Sequence, residues 1–129
     1  MYILCILCTV FADNVEGHGD AGKSASGDVV PDESFTLSHG ATGIVSMSND
    51  GPHTNASQFF VTLKPLPFLD TKFQAIGRVV SGMKYFRGIE GMKLENQRPV
   101  GTCMISAAGV VSEANGASVG SKDEGKGSE

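Results

Sequence analysis

The sequence predicts a mainly β domain with antiparallel strands and one short helix. Its 129 residues include 17 Gly and 5 Pro, which separate short apolar runs along the chain. Turn residues between short apolar runs are typical of antiparallel sheets. Only one segment shows the spacing of a helix. A chain of this length supplies one hydrophobic core, so we expect a single folded domain.

Composition divides the chain into three segments. Residues 1–12 are almost all apolar, residues 13–111 form the expected folded body, and residues 112–129 have Val119 as their one large apolar side chain. We expect the last segment to be a disordered tail. The first has three alternatives: a strand of the domain, a start produced by an incomplete or alternatively spliced gene, or a secretory leader. The leader is less favoured because no positive charge precedes a very short apolar stretch.

The expected elements of the body follow from periodicity and turn residues. Strands are predicted at 34–37, 43–48, 58–63, 73–80 and 103–111, and loops at 13–30, 49–55 and 64–67. Met83, Phe86 and Ile89 recur at three-residue spacing, which is typical of the buried face of a helix. Gly88 lowers helix stability by about 1 kcal/mol relative to Ala, so the helix should be short.

The strand that begins at Gln58 has a clear two-residue alternation. Phe59, Val61 and Leu63 share one face, which an antiparallel barrel would bury. Gln58 and Phe60 share the opposite face. An exposed aromatic side chain beside an amide is hard to explain by packing, so these two residues are candidates for function.

Charge and cysteine content limit the class of protein. The net charge is −4 and the 10 Lys and Arg residues are scattered, which argues against a nucleic-acid partner. The first apolar run is too short to cross a bilayer as a helix, so no membrane partner is expected. Three Cys residues cannot all pair within one chain, and Cys5 and Cys8 lie inside an apolar run. Reduced, buried thiols and a cytoplasmic location are therefore predicted.

A phosphate-binding motif occurs from Gly17 to Ser24, where GHGDAGKS satisfies G-x-x-x-x-G-K-[ST]. Nucleotide binding is thus one alternative function. That site requires a helix beginning at Lys23, whose N-terminal amides would face the phosphates. Gly27 and Pro31 leave no room for such a helix. The motif without its structural context is a weak indication.

The three histidines give no metal-ligand pattern. His18, His39 and His53 all lie in turn-rich sequence, so we expect solvated loop side chains, no metal site and no cofactor. Residues 55–57 form a glycosylation sequon, which would be inert in a cytoplasmic protein.

The segment from Gly43 to Leu63, GIVSMSNDGPHTNASQFFVTL, resembles the central signature of the cyclophilins, the peptidyl-prolyl cis-trans isomerases. Every fixed position of the family pattern MxNxGPxTNxSQFF is matched from Met47 to Phe60. Residues 67–83 and 17–39 are also similar to family segments. The resemblance implies a cyclophilin-like antiparallel β-barrel, incomplete at its N-terminus because the family's first strands have no counterpart.

The resemblance also implies an activity, which is isomerisation of X-Pro bonds with assistance to protein folding. In the family, an apolar pocket holds the proline ring. Phe60 and Leu69 match residues of that pocket, and Phe73 is a further candidate for its lining. The backbone at Asn49 holds the flanking peptide and Gln58 offers an amide. Implied partners are proline-containing peptides or proteins, and cyclosporin-like ligands weakened by Phe68 in place of a Trp. The implied substrate-binding residues are Ser48, Asn49, Asp50, Gln58, Phe60, Phe68, Leu69, Phe73 and Gly19.

The sequence departs from the family pattern at several positions. The Gly-rich loop aligns Asp13 with the Asp of the family's Gln-Gly-Gly-Asp run. In this alignment, no residue of the sequence corresponds to the family's catalytic Arg. Phe73 stands where a His is common, and Asp50 replaces a small apolar residue. In the family, this Arg donates a hydrogen bond to the proline nitrogen as the amide loses resonance. Three alternatives follow: an isomerase, a non-catalytic proline-peptide binding module of the same fold, or a nucleotide-binding protein.

Overall fold

The computed structural model describes residues 2–6, 9–13, 22–96, 98–101 and 103–111. The strands in these ranges are β1 (Tyr2–Ile6), β2 (Thr9–Asp13), β3 (Ile44–Met47), β4 (Phe59–Thr62), β5 (Ala75–Arg78), β6 (Leu94–Glu95) and β7 (Arg98–Pro99). A short 3-10 helix spans Pro67–Leu69, and the helix α1 spans Met83–Glu90. The prediction of a mainly β, antiparallel fold with one short helix is confirmed.

The main sheet has the strand order β1-β2-β4-β3-β5, and every neighbouring pair is antiparallel. Strand β4 is central, since β2 pairs with one of its edges and β3 with the other. In the described part of the chain this sheet is open, with β1 and β5 at its edges. Residues 2–6 and 9–13 thus lie in the sheet, as the strand alternative for the first segment requires.

Strand β4 is buried on both faces, which corrects the expected exposure of Phe60. The Phe60 side chain is 2% exposed and Val61 is 1% exposed, whereas Phe59 is only partly buried. Leu63, just after β4, packs against the apolar side chains of α1. Rings from loops cover the other face at Phe60. Alternation identified the two faces of the strand but not that both are covered.

The helix α1 forms where the three-residue spacing predicts it. Met83, Phe86 and Ile89 pack together against Leu63. Gly82 precedes the helix with a φ of 87°, a left-handed conformation that favours glycine. The chain leaves the helix at Gly91, whose N–H donates to the Arg87 carbonyl at 3.1 Å. No helix within the described ranges has the length and apolar character needed to cross a membrane.

Two predicted strands are wrong. Residues 34–37 form no strand, because the Ser34 hydroxyl lies 2.7 Å from the Thr36 hydroxyl and accepts the Thr36 backbone N–H at 3.2 Å. Such local bonds replace those of a strand ladder. Residues 103–111 also contain no strand in their described part. The strand predicted at 73–80 is shorter, since the Phe73 N–H is used in a turn with the Leu69 carbonyl at 3.1 Å.

Candidate functional site

Five of the predicted site residues lie where β3 ends and β4 begins, namely Ser48, Asn49, Asp50, Gln58 and Phe60. Adjacent antiparallel strands place the end of one beside the start of the next. The Ser48 N–H donates to the Gln58 carbonyl at 3.0 Å, which joins these two predicted site residues. The structure therefore brings together residues that are ten positions apart in the sequence.

The loop after β3 is fixed by its own side chains. The Asn49 side-chain amide donates to the Lys72 carbonyl at 3.0 Å, and its Oδ1 accepts the Gly51 N–H at 3.2 Å. The Thr54 hydroxyl accepts the Asp50 N–H at 2.9 Å and donates to the Gly51 carbonyl at 2.7 Å. Gly51 has a φ of 132°, which disfavours any residue with a Cβ. The bond to Lys72 holds Asn49 beside the segment that carries Phe73, and the bond to Thr54 fixes Asp50 within the loop.

Aromatic rings form the apolar part of the site. The Phe60 and Phe73 rings meet edge to face, with centroids 5.4 Å apart and an interplanar angle of 88°. This is a favoured geometry for aromatic pairs. Leu69 is partly buried at the end of the 3-10 helix, whereas Phe68 is 65% exposed. Phe60 is thus a buried ring beneath the partly buried Phe73, and Gly19 lies outside the described residues.

A buried polar chain lies directly behind Phe60. The His39 ring stacks on the Phe60 ring at 6.1 Å with an interplanar angle of 19°. His39 Nδ1 lies 2.7 Å from Asp70 Oδ1, and Nε2 lies 2.9 Å from the Ser46 hydroxyl. The expectation of a solvated His39 is wrong, because its ring has a bond at each nitrogen inside the fold. His53 has an exposed side chain, as predicted, and His18 lies outside the described residues.

One signal in the sequence pointed to this polar chain. Ser46 is paired with Phe60 across β3 and β4, so the two side chains share one face of the sheet. A serine that is fully buried inside a strand requires a hydrogen-bond partner. That requirement could have indicated a polar side chain over this face, but not which one.

The Asp70 carboxylate is held in its charged form by hydrogen bonds. The His39 backbone N–H donates to it at 2.7 Å, the Ser38 hydroxyl donates at 2.7 Å, and the His39 ring is its third partner. Together these bonds lower the pKa of Asp70 to about 2, against the small opposing effect of desolvation. Asp70 is therefore a permanent anion at neutral pH.

The order Asp70, His39, Ser46 is also that of a serine hydrolase relay. A nucleophilic hydroxyl must reach the substrate, and the Ser46 side chain is fully buried. The hydrogen-bonded side chains of Asp70, His39 and Ser46 can hold their neighbours in place, but the buried Ser46 hydroxyl cannot attack a carbonyl group. Among the described residues, no three His, Cys, Asp or Glu side chains could together hold a metal ion.

A second polar cluster supports the loop between β3 and β4. Asp32 accepts the His53 N–H at 2.9 Å and the Asn55 side-chain amide at 2.7 Å. The first of these bonds is the main reason that the pKa of Asp32 is lowered. Asn55 is buried and its amide nitrogen is engaged by Asp32, so the sequon is closed in the folded domain.

The phosphate-binding motif does not have its required helix. Residues 22–30 form turns and bends, and the Lys23 N–H donates to the Ser57 hydroxyl at 3.0 Å. Gly17, the first glycine of the motif, lies outside the described residues.

Comparison with known families decides the classification. The profile of the cyclophilin type peptidyl-prolyl cis-trans isomerase/CLD family matches residues 9–110. The chain belongs to this family. The resemblance seen in the sequence is thus confirmed, and the described sheet and helix are consistent with the cyclophilin fold.

Curated relatives of this cyclophilin have different names. "Probable inactive peptidyl-prolyl cis-trans isomerase-like 6" of Bos taurus is 40% identical over 97 residues, which are 75% of this chain and 32% of that protein. "Peptidyl-prolyl cis-trans isomerase H" of Mycosarcoma maydis is 41% identical over 98 residues, which are 75% of this chain and 63% of that protein. "Peptidyl-prolyl cis-trans isomerase cyp11" of Rhizopus delemar is 44% identical over 92 residues, which are 70% of this chain and 27% of that protein. The chain therefore spans about a third of the length of the "isomerase-like 6" relative.

Proposed function

We propose that this cyclophilin binds X-Pro segments of peptides and proteins and catalyses their cis–trans isomerisation. The observation that carries the proposal is the buried Phe60 ring, which meets Phe73 edge to face. Leu69 lies beside Phe73, whose N–H donates to the Leu69 carbonyl at 3.1 Å. Together these side chains offer an apolar seat of the kind that a proline ring requires.

Isomerisation fits such a site because it needs no nucleophile, metal ion or cofactor. The barrier of about 18–20 kcal/mol comes from amide resonance, and a site lowers it by binding the twisted amide more tightly than the planar forms. The apolar residues would hold the ring while the backbone at Asn49 and the amide of Gln58 hold the flanking peptide. The hydrogen bonds of the Asn49 loop would keep these groups in place before the ligand arrives.

A second candidate is a proline-peptide binding module without catalysis. One reason to consider it is that no residue of this sequence aligns with the family's catalytic Arg. Another is that three relatives are named "Probable inactive". The proposed pocket residues do not depend on that Arg. Binding would then persist while the selective stabilisation of the twisted amide is lost.

The proposed setting is cytoplasmic, with proline-containing proteins as clients whose folding the domain assists. Cyclosporin-like ligands are proposed to bind more weakly than to relatives with a Trp at this position. Phe68 lacks the indole N–H that a Trp would donate, and it is exposed at the edge of the site.

The two candidates separate in one pair of measurements. An Ala-Ala-Pro-Phe peptide is titrated into the labelled protein, and its cis–trans exchange rate is followed by NMR with and without the protein. Binding with a raised exchange rate supports the isomerase, and binding at the uncatalysed rate supports the non-catalytic module. If the peptide gives no saturable shift, both candidates are wrong. The Phe73→Ala variant should weaken binding, whereas Tyr85→Ala, which removes an exposed ring on α1, should not.

A further inference from the structure

We propose that Asp70 is a positioning residue that couples the floor of the site to its lip. The floor is the buried Phe60 ring, and the lip is the 3-10 helix Pro67–Leu69. The Asp70 carboxylate bonds to the His39 ring, which lies behind the floor, and to the His39 backbone, which holds the lip. The part of this inference that concerns ligands rests on the proposed function, whereas the coupling itself does not.

The backbone of His39 makes one hydrogen bond on each side of the lip. The His39 carbonyl accepts the Leu66 N–H at 2.8 Å, just before the 3-10 helix. The His39 N–H donates to Asp70 Oδ1 at 2.7 Å, just after it. Asp70 Oδ2 adds a bond from the Ser38 hydroxyl at 2.7 Å. The helix that presents Phe68 and Leu69 is thus fastened at both ends to residues 38–39.

The floor is backed by the ring of the same residue. Because a carboxylate only accepts hydrogen bonds, His39 Nδ1 carries the proton that it shares with Asp70 Oδ1. The Ser46 hydroxyl contacts the other ring nitrogen. Bonds at both nitrogens fix the plane of the imidazole, which lies against the face of Phe60.

The coupling arises because Asp70 Oδ1 is the partner of both the His39 N–H and the His39 ring. Loss of this oxygen frees the end of the lip and leaves a buried ring nitrogen without its acceptor. An unsatisfied buried polar group is costly, so the imidazole would reorient and Phe60 would lose its backing. Displacement of the lip and of the floor should then occur together.

The test compares Asp70→Ala with Asp70→Asn, which keeps one acceptor oxygen. Asp28→Ala is the control, because it removes an exposed carboxylate of the same charge far along the chain. In the free protein, the Phe60 ring and Leu69 methyl resonances should both shift in Asp70→Ala and return most of the way in Asp70→Asn. Affinity for the Ala-Ala-Pro-Phe peptide should fall by about two- to tenfold in Asp70→Ala, which is the loss expected for one net hydrogen bond. Asp28→Ala should change neither.

Several outcomes would overturn the inference. These are a shift at only one of the two reporters, no recovery in Asp70→Asn, or unchanged affinity although both reporters move. If Asp70→Ala does not fold, Ser46→Ala replaces it, and a shift of the distant Leu69 methyl is then the expected result. If the unmodified protein binds no peptide, the proposed function fails, and the resonances of the free protein still decide the coupling.

Discussion

The Thr62→Val substitution tests how the end of β4 is fastened to the start of β3 and to the residues just before it. The Thr62 side chain is fully buried, and its hydroxyl accepts the Ile44 N–H and donates to the Ala41 carbonyl, each at 3.0 Å. Valine has nearly the same shape but no hydroxyl. The substitution therefore removes two hydrogen bonds while it leaves the packing almost unchanged.

The expected loss of stability follows from the exposure of the two partners. Ile44 is partly buried, so its N–H would be left without an acceptor, which costs about 1–3 kcal/mol. Ala41 is exposed, so water can replace the lost donor at its carbonyl and adds little to the cost. We expect the free energy of unfolding to fall by about 1–3 kcal/mol in total.

Urea unfolding measures this change. With a slope of about 1–3 kcal/mol per molar urea, the midpoint should fall by roughly 1 M and the slope should stay constant. Thr42→Val is the matched control, because the exposed Thr42 hydroxyl makes one long bond of 3.4 Å to the Leu63 carbonyl. Equal midpoints for the two variants, or a more stable Thr62→Val, would refute the reasoning.

Three further predictions concern the site. The folded pKa of Asp70, about 2, is below its unfolded value of 3.8, so its contribution to stability is complete above pH 4 and is lost as the pH falls through 2. Acid unfolding curves of Asp70→Asn should lack this loss, and parallel curves for the two proteins would disprove it. Ser46→Ala should destabilise the domain by about 1–3 kcal/mol, because a buried His39 nitrogen loses its partner. A melting temperature equal to that of the unmodified protein would contradict this. Phe68→Trp should raise affinity for a cyclosporin-like ligand in a calorimetric titration, whereas Tyr85→Trp on α1 should not, and equal gains would exclude a role for position 68.

Periodicity within a segment was enough to predict an element that is buried on one side only. Met83, Phe86 and Ile89 predicted α1 because a helix repeats its buried face every three or four residues. The same reasoning failed at Phe60. Alternation shows that a strand has two faces, but whether the second is covered depends on segments elsewhere in the chain. Here the cover is His39 and Phe73.

Local pattern could not identify which side chains support the site. His39 lies in turn-rich sequence, yet it is buried because Asp70 and Ser46 meet its two ring nitrogens. Asp70 is 31 positions away. In the same way, residues 34–37 looked like a strand, but their backbone bonds stay local and no neighbouring strand takes them.

The sequence by itself determined the family, the mainly β fold and the helix. These follow from a contiguous motif and from periodicities that each segment contains within itself. Only the tertiary structure decided that Phe60 is a buried floor and that His39 and Asp70 stand behind it. The physical reason is that burial and hydrogen-bond pairing belong to segments that meet only when the sheet is assembled.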